Sequence, residues 1–138
     1  IKKAAAAFGS QAVVGSIDVR STLLRGYRVA IKSGTVEISA KPEEHAQALV
    51  AAGAGEIFIN SIDADGTMAG FDLKIIRRIA DSVNVPVIAC GGAGSSADLK
   101  SALTEGGASA VAAGSMFVFH GKHRAVLINY NPETVMGS

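Results

Sequence analysis

The sequence predicts an α/β fold with parallel strands: four consecutive βα units, half the complement of a (β/α)8 TIM-type barrel. Three observations predict it. Four short apolar runs recur along the 138 residues, at 12–18, 56–61, 85–90 and 110–114. The runs lack strict polar alternation, which suits strands covered on both faces and hence a parallel rather than an antiparallel sheet. Stretches of helical period separate them, and each run ends in a polar or glycine-rich turn.

Taken in order, the chain begins without methionine and reads as mid-helix at Ile1-Lys2-Lys3-Ala4, so a piece of a longer protein or a processed form is expected. The first strand, Ala12 to Asp18, is followed by two alternating runs around Ser33-Gly34, over 27–38, which predict a small hairpin decorating that strand's end. Pro42 with Glu43 and Glu44 opens a helix over 42–52, because proline and acidic side chains both suit a helix N-terminus; Gly53 and Gly55 end it. Residues 71–83 place Phe71, Ile75, Ile76, Ile79 and Val83 on one stripe, with Lys74, Arg77, Arg78 and Asp81 opposite, a strongly amphipathic helix. Ser95 and Ser96 before Asp98 cap a helix over 97–105 that stops at Gly106-Gly107. With no composition break or low-complexity linker, residues 1–138 read as a single half-barrel domain.

Composition narrows the function classes. A hydrophobic fraction of 49% with 18% charged residues is globular, and a net charge of +1 gives no general attraction to nucleic acid or a membrane surface. No run reaches the roughly 18 apolar residues of a membrane span, and the start lacks the apolar core of a signal peptide. A single cysteine, Cys90, excludes an internal disulfide framework, and the expected location is cytoplasmic.

In parallel α/β proteins ligands gather at the carboxyl ends of the strands. Here those ends carry Ser16-Ile17-Asp18, Ser61-Ile62-Asp63-Ala64-Asp65-Gly66-Thr67, Cys90-Gly91-Gly92-Ala93-Gly94 and Ala113-Gly114-Ser115. Glycine lets backbone N–H groups approach an anion, so Gly91 and Gly92 with Gly114 and Ser115 make a phosphate cradle; otherwise they merely turn the chain tightly. Asp18 would face the ligand mouth as a general acid or base, or else cap a turn. The loop with Asp63, Asp65, Gly66 and Thr67 has a superficial calcium-loop look, but its twelfth position is Asp72 rather than glutamate and a strand precedes it. It reads instead as a turn, with or without donors for a phosphate or diol; neither a metal nor another cofactor is expected. Cys90 has no histidine near it in sequence and reads as a pocket wall. His120, Lys122, His123 and Arg124 form a basic cluster after the last strand, read as a solvated helix start rather than an anion or partner contact, and His45 is given no role.

As a set, Phe8-Gly9-Ser10-Gln11-Ala12-Val13-Val14, Ser16-Ile17-Asp18, Gly53-Ala54-Gly55-Glu56-Ile57, Ser61-Ile62-Asp63-Ala64-Asp65-Gly66-Thr67, Gly91-Gly92-Ala93-Gly94 and Ala113-Gly114-Ser115 resemble the cyclase subunit of imidazole glycerol phosphate synthase. The resemblance spans the second half of that family's barrel, from the helix before its fifth strand to its eighth strand and its helix. It implies that Asp18 matches one of two aspartates that act as general acid and base in ring closure, the other lying on a first strand absent here. It also implies that Asp65, Gly66, Gly92, Gly114 and Ser115 surround one of the substrate's two phosphates. The implied substrate is a phosphorylated, nucleotide-like sugar, and the implied partner a glutaminase subunit that supplies ammonia through the barrel.

Three departures stand out: Ala64 where an arginine is usual, Cys90 where serine is usual, and Ile38-Ser39-Ala40-Lys41-Pro42 in place of a Thr-Gly stretch. With the closing Phe119-His120-Gly121-Lys122-His123-Arg124 they look similar to paralogues of bacterial surface-polysaccharide clusters, which work with an amidotransferase in amidating a sugar. A related isomerase of the histidine pathway fits the motifs less well. A reading of a different class is a phosphate-binding assembly module without activity. Half a barrel has open sheet edges and an uncovered apolar interior, so a homo-oligomer is expected in either case.

Overall fold

The structure, a computed structural model, describes residues 1–121 and 123–128. Helix α1 (Lys2–Phe8) and a short 3-10 turn lead into strand β1 (Val14–Thr22), followed by strands β2 (Gly26–Ile31) and β3 (Val36–Ile38). Then come α2 (Pro42–Ala51), β4 (Glu56–Ser61), α3 (Leu73–Ala80), β5 (Val87–Cys90), α4 (Ser96–Thr104), β6 (Ala110–Val111) and α5 (Ser115–Val118). A two-stranded ribbon, β7 (Phe119–His120) and β8 (Ala125–Val126), closes the described chain. The main sheet has the order β3-β2-β1-β4-β5-β6. Strands β1, β4, β5 and β6 run parallel with helical crossovers, and β2 and β3 are antiparallel additions at one edge. This is the βα succession of a partial (β/α)8 barrel.

Strand register sorts side chains by phase, because successive residues point to opposite faces. Ile17 and Val19 of β1, Ile57 and Ile59 of β4, and Val87 and Ala89 of β5 are buried in one cluster with Ala46, Ile75, Ile79, Leu99 and Ala102 from the helices. Loss of such a side chain to alanine typically costs about 2–5 kcal/mol. The opposite face carries Val14, Ser16 and Asp18, then Glu56, Phe58 and Asn60, then Ile88 and Cys90. Among the described residues no layer covers it, and Val14 is 50% exposed. The runs read as apolar because Val14, Phe58 and Ile88 add apolar side chains to the second phase, although only the first phase is buried here.

Helix boundaries follow the local chemistry closely. Pro42 occupies the first turn of α2, Asp72 caps α3 by accepting from the Ile75 N–H at 3.3 Å, and Ser95 and Asp98 form a reciprocal capping box on α4. The amphipathic stretch expected over 71–83 is helical only from Leu73 to Ala80, since its first two residues serve as the entry and the cap. Arg77 ties α3 to α4 by donating to the Glu105 carbonyl, with Nε 2.9 Å from the oxygen, where α4's last carbonyls lack helical partners.

Two expectations are corrected. The hairpin does not simply decorate a strand end: β1 continues past Asp18 to Thr22, and β2 pairs antiparallel with it from Asp18↔Ala30 to Thr22↔Gly26. The polar residues Arg20, Ser21 and Thr22 concealed this extension. The basic cluster is not a helix start either, because His120 pairs with Ala125 in the β7–β8 ribbon; Lys122 lies outside the described residues.

A half-buried polar network anchors the hairpin to the helices. The Tyr27 hydroxyl donates to the Asp72 carboxylate at 2.9 Å, and the Arg78 guanidinium sits 5.4 Å from the Tyr27 ring centroid while pairing with Glu43. Burial, reinforced by the hydrogen bond to Asp72 and its charge, pushes the Tyr27 hydroxyl up to about 12. Because the folded state holds this proton more tightly, its contribution is complete below the ordinary value of 10.0 and is lost as pH climbs towards 12. Tyr27→Phe is therefore expected to cost about 1 kcal/mol at neutral pH by urea denaturation. Between pH 10 and 12 the gap from wild type should close, and a constant gap would exclude the tyrosine as its source.

Candidate functional site

The carboxyl ends of the parallel strands meet at one rim of the sheet. On the open face Asp18 is in register with Asn60, and Asn60 with Cys90, so three polar side chains form one row across β1, β4 and β5. The Asn60 side-chain amide donates to Asp18 Oδ1 at 3.4 Å. Its carbonyl oxygen, Asn60 Oδ1, is buried and has no hydrogen-bond partner among the described residues. Burial first, then the nearby Asp65 charge, raises the Cys90 thiol, with the Gly91 N–H opposing. A thiol that holds its proton is a poor nucleophile, consistent with a wall role.

Beside this row lies a small cleft lined by Asp65, Gly66, Cys90, Gly91, Gly92, Ala93 and residues 112–115. It brings together Asp65, Gly66, Gly91, Gly92, Gly114 and Ser115 from the residues singled out in the sequence. Among the described residues Asp65 supplies its one charged side chain. The N–H groups of Gly92 and Gly114 have no acceptor among the described residues.

The two glycines have different origins. Gly92 adopts φ +110°, and a Cβ there would lie 2.1 Å from the Gly70 carbonyl oxygen, so close loop packing alone demands glycine. Gly114 adopts φ −120°, which any residue tolerates, and a Cβ there would meet no described atom within 4 Å. The fold therefore gives no reason for glycine at 114, whereas an incoming ligand would. Further along the same loop, the Gly94 and Ser95 N–H groups already donate to Asp98 Oδ2 at 3.0 and 2.9 Å. The start of α4 is thus occupied by the chain's own carboxylate, and the cradle is narrower than the Gly91–Gly94 run suggests.

Ser61, Asp63 and Thr67 do not line the cleft. Ser61 is 8% exposed, on the phase of β4 that faces the helices. Asp63 accepts from the Ser21 N–H at 2.6 Å and lies 3.7 Å from Arg20 Nε, tying the β1 extension to the loop after β4. The Thr67 hydroxyl donates to the Ala64 carbonyl at 2.6 Å, inside its own turn. One polar residue escaped notice in the sequence: Asn60 shares Asp18's strand phase, a signal that was readable once register was known. Arg124 was read there only as part of a solvated basic cluster, and the ribbon brings its guanidinium to donate to the Gly66 carbonyl. A wider, shallow cleft at the opposite end of the sheet, between the ends of α2 and α3, is lined by Gln47, Val50, Asp81 and Asn84 among others. Its acid, Asp81, is paired with Arg77 at 3.8 Å, and it lies away from the strand rim.

Among the described residues no helix is long and apolar enough to cross a membrane. A family model described as histidine biosynthesis protein matches residues 1–124. The chain is 58% identical over 130 residues to a Pseudomonas aeruginosa protein named "Putative imidazole glycerol phosphate synthase subunit hisF2", covering 94% of this chain and 52% of that one. It is 46% identical to a Leptospira interrogans protein named "Putative imidazole glycerol phosphate synthase subunit HisF", with 94% and 52% covered. It is also 47% identical over 115 residues to the imidazole glycerol phosphate synthase subunit HisF of Nitratidesulfovibrio vulgaris, covering 80% and 44%. The chain spans about half the length of the curated relatives it matches. With most of its length matched by the family model and near relatives across the same stretch, this chain belongs to the histidine biosynthesis protein family, as a partial barrel similar to the cyclase subunit of imidazole glycerol phosphate synthase.

Proposed function

We propose that this chain supplies the second half of an ammonia-using cyclase barrel of the imidazole glycerol phosphate synthase type. The observation that carries the reading is the placement of Asp18 on the open face, one strand from a cleft with unpaired glycine N–H groups. In such a barrel the cleft takes one phosphate of a phosphorylated, nucleotide-like sugar through the N–H groups of Gly92 and Gly114 and the Ser115 hydroxyl. That anchor places the reacting carbons over the row of Asp18 and Asn60. Asp18 then moves a proton as ammonia, delivered by a glutaminase subunit, closes the ring, and the complementary aspartate comes from the missing half. Asn60 holds the Asp18 carboxylate in place through its amide. A cytoplasmic location goes with this reading.

A second reading keeps the anchor and the ammonia but changes the acceptor to a surface-polysaccharide sugar. It is favoured by Ala64, whose methyl lies next to Gly92 and leaves the cleft wall without a basic side chain among the described residues. Turnover with each substrate class separates the two.

The open face also has physical consequences. β2 pairs with β1 only from Asp18 onward, so residues 14–17 present an unpaired edge among the described residues, and β6 is the edge on the other side. Together with exposed Val14 these favour association with a complementary half-barrel, or with a second copy of this chain when none is supplied.

Three outcomes follow. Mixed with a first-half chain carrying its own strand-one aspartate, the protein should turn over substrate, and Asp18→Asn should lower that turnover about 100- to 10,000-fold; retained activity would remove Asp18 from the acid–base role. Gly114→Val should leave thermal stability within about 0.5 kcal/mol of wild type, as at an open surface position, yet weaken phosphate binding at least tenfold in calorimetric titration. Light scattering of the purified chain should show a dimer, and a strictly monomeric species at high concentration would refute self-association.

A further inference from the structure

The cleft poses an electrostatic problem. Among the described residues its lining contains one charged side chain, Asp65, and no cation. A phosphate placed there would meet a carboxylate, with backbone N–H groups as its main attraction, and two like charges at short range repel unless a countercharge is near.

Arg124 is positioned to supply it. From the β7–β8 ribbon its guanidinium reaches 58 residues back along the chain and donates through Nη2 to the carbonyl of Gly66, a residue of the cleft wall. The same group lies 5.0 Å from the centroid of the Phe119 ring, which steadies it without consuming its N–H donors. No described carboxylate lies within ion-pair distance of Arg124, whereas Arg20, Arg77 and Arg78 each have an acidic partner. Its backbone is held in the left-handed region at φ 48°, unusual for a non-glycine residue, so the ribbon maintains this direction against a conformational cost. A guanidinium carries five N–H donors in a planar fork, and the carbonyl of Gly66 engages one nitrogen, which leaves donors for an anion.

We infer that Arg124 is the cationic member of the phosphate site, closing it from the ribbon across Gly66 and offsetting the charge of Asp65. The inference rests on the reading of the cleft as a phosphate site. It assigns to the ribbon a ligand-binding role, with oxyanions of the phosphomonoester type as the class bound.

The test is a titration of the whole chain with inorganic phosphate, followed by the backbone amide resonances of Gly92 and Gly114. Wild type should show saturable shifts at both amides. Arg124→Ala and Arg124→Gln should each weaken the affinity about tenfold or more, as expected when a charge-assisted hydrogen bond is removed. Glutamine can still donate to the Gly66 carbonyl, so wild-type affinity in Arg124→Gln alongside loss in Arg124→Ala would make the contact structural and overturn the inference. Affinity within twofold of wild type in both variants would also overturn it while leaving the cleft reading intact. Arg25→Ala, which removes an exposed arginine of the β1–β2 turn outside the cleft lining, should bind like wild type; an equal loss there would reveal a general field effect and count against Arg124. Absence of any shift in wild type would instead remove the phosphate cleft itself, and the role of Arg124 with it.

Discussion

The packing of one phase of four parallel strands against a single layer of helices constrains everything else in this chain. Ile17, Ile57, Ile59 and Val87 must all turn towards α2, α3 and α4 to be buried with Ile75, Ile79 and Leu99. A slip of one residue would move the whole set to the other face. Once this phase is set, Asp18, Asn60 and Cys90 fall on the opposite face in one row. The candidate chemistry is therefore a by-product of register: the residues that stay out of the core are those delivered to the open side of the rim.

The hairpin is held to this framework by polar contacts rather than by much apolar area. Tyr27 reaches Asp72, which also caps α3, while Arg78 links the Tyr27 ring to Glu43 on α2. Three elements distant in sequence meet through four side chains, each with a defined partner. Asp63 makes the corresponding tie at the rim by binding Arg20 and the Ser21 N–H. An aspartate that a motif reading would assign to a ligand is thus occupied in fastening the β1 extension to the next loop.

Loop packing divides the glycines at the strand ends. Gly92 is forced by the Gly70 carbonyl, and Gly94 by the approach of the Met68 carbonyl at 2.2 Å from where a Cβ would stand. Gly114 is free of such demands, so its small size is left for something outside the described chain. The carboxylate of Asp98, seated on the Gly94 and Ser95 N–H groups, takes the start of α4 out of contention as an anion site. What remains is a narrow cleft among the ends of β4, β5 and β6, with an acidic residue on one wall and an arginine at its edge.

Much of the architecture was legible in the sequence because its causes are local. Apolar runs, a stripe of period 3.6 over Phe71 to Val83, Pro42 at a helix start and the Ser95–Asp98 box act within a few residues, and the helices form where those signals place them. The clustering of Asp65, Gly66, Gly92, Gly114 and Ser115 was legible too, since parallel topology brings strand ends together. Tertiary structure decided what depends on partners far along the chain. The capture of Asp63 by Arg20, the contact of Asn60 with Asp18 on the open face and the reach of Arg124 to Gly66 join residues 42 to 58 positions apart, and the β1 extension depends on β2 folding back along it. A side chain's partner at such a separation is set by how the backbone folds back, and no local propensity carries that information.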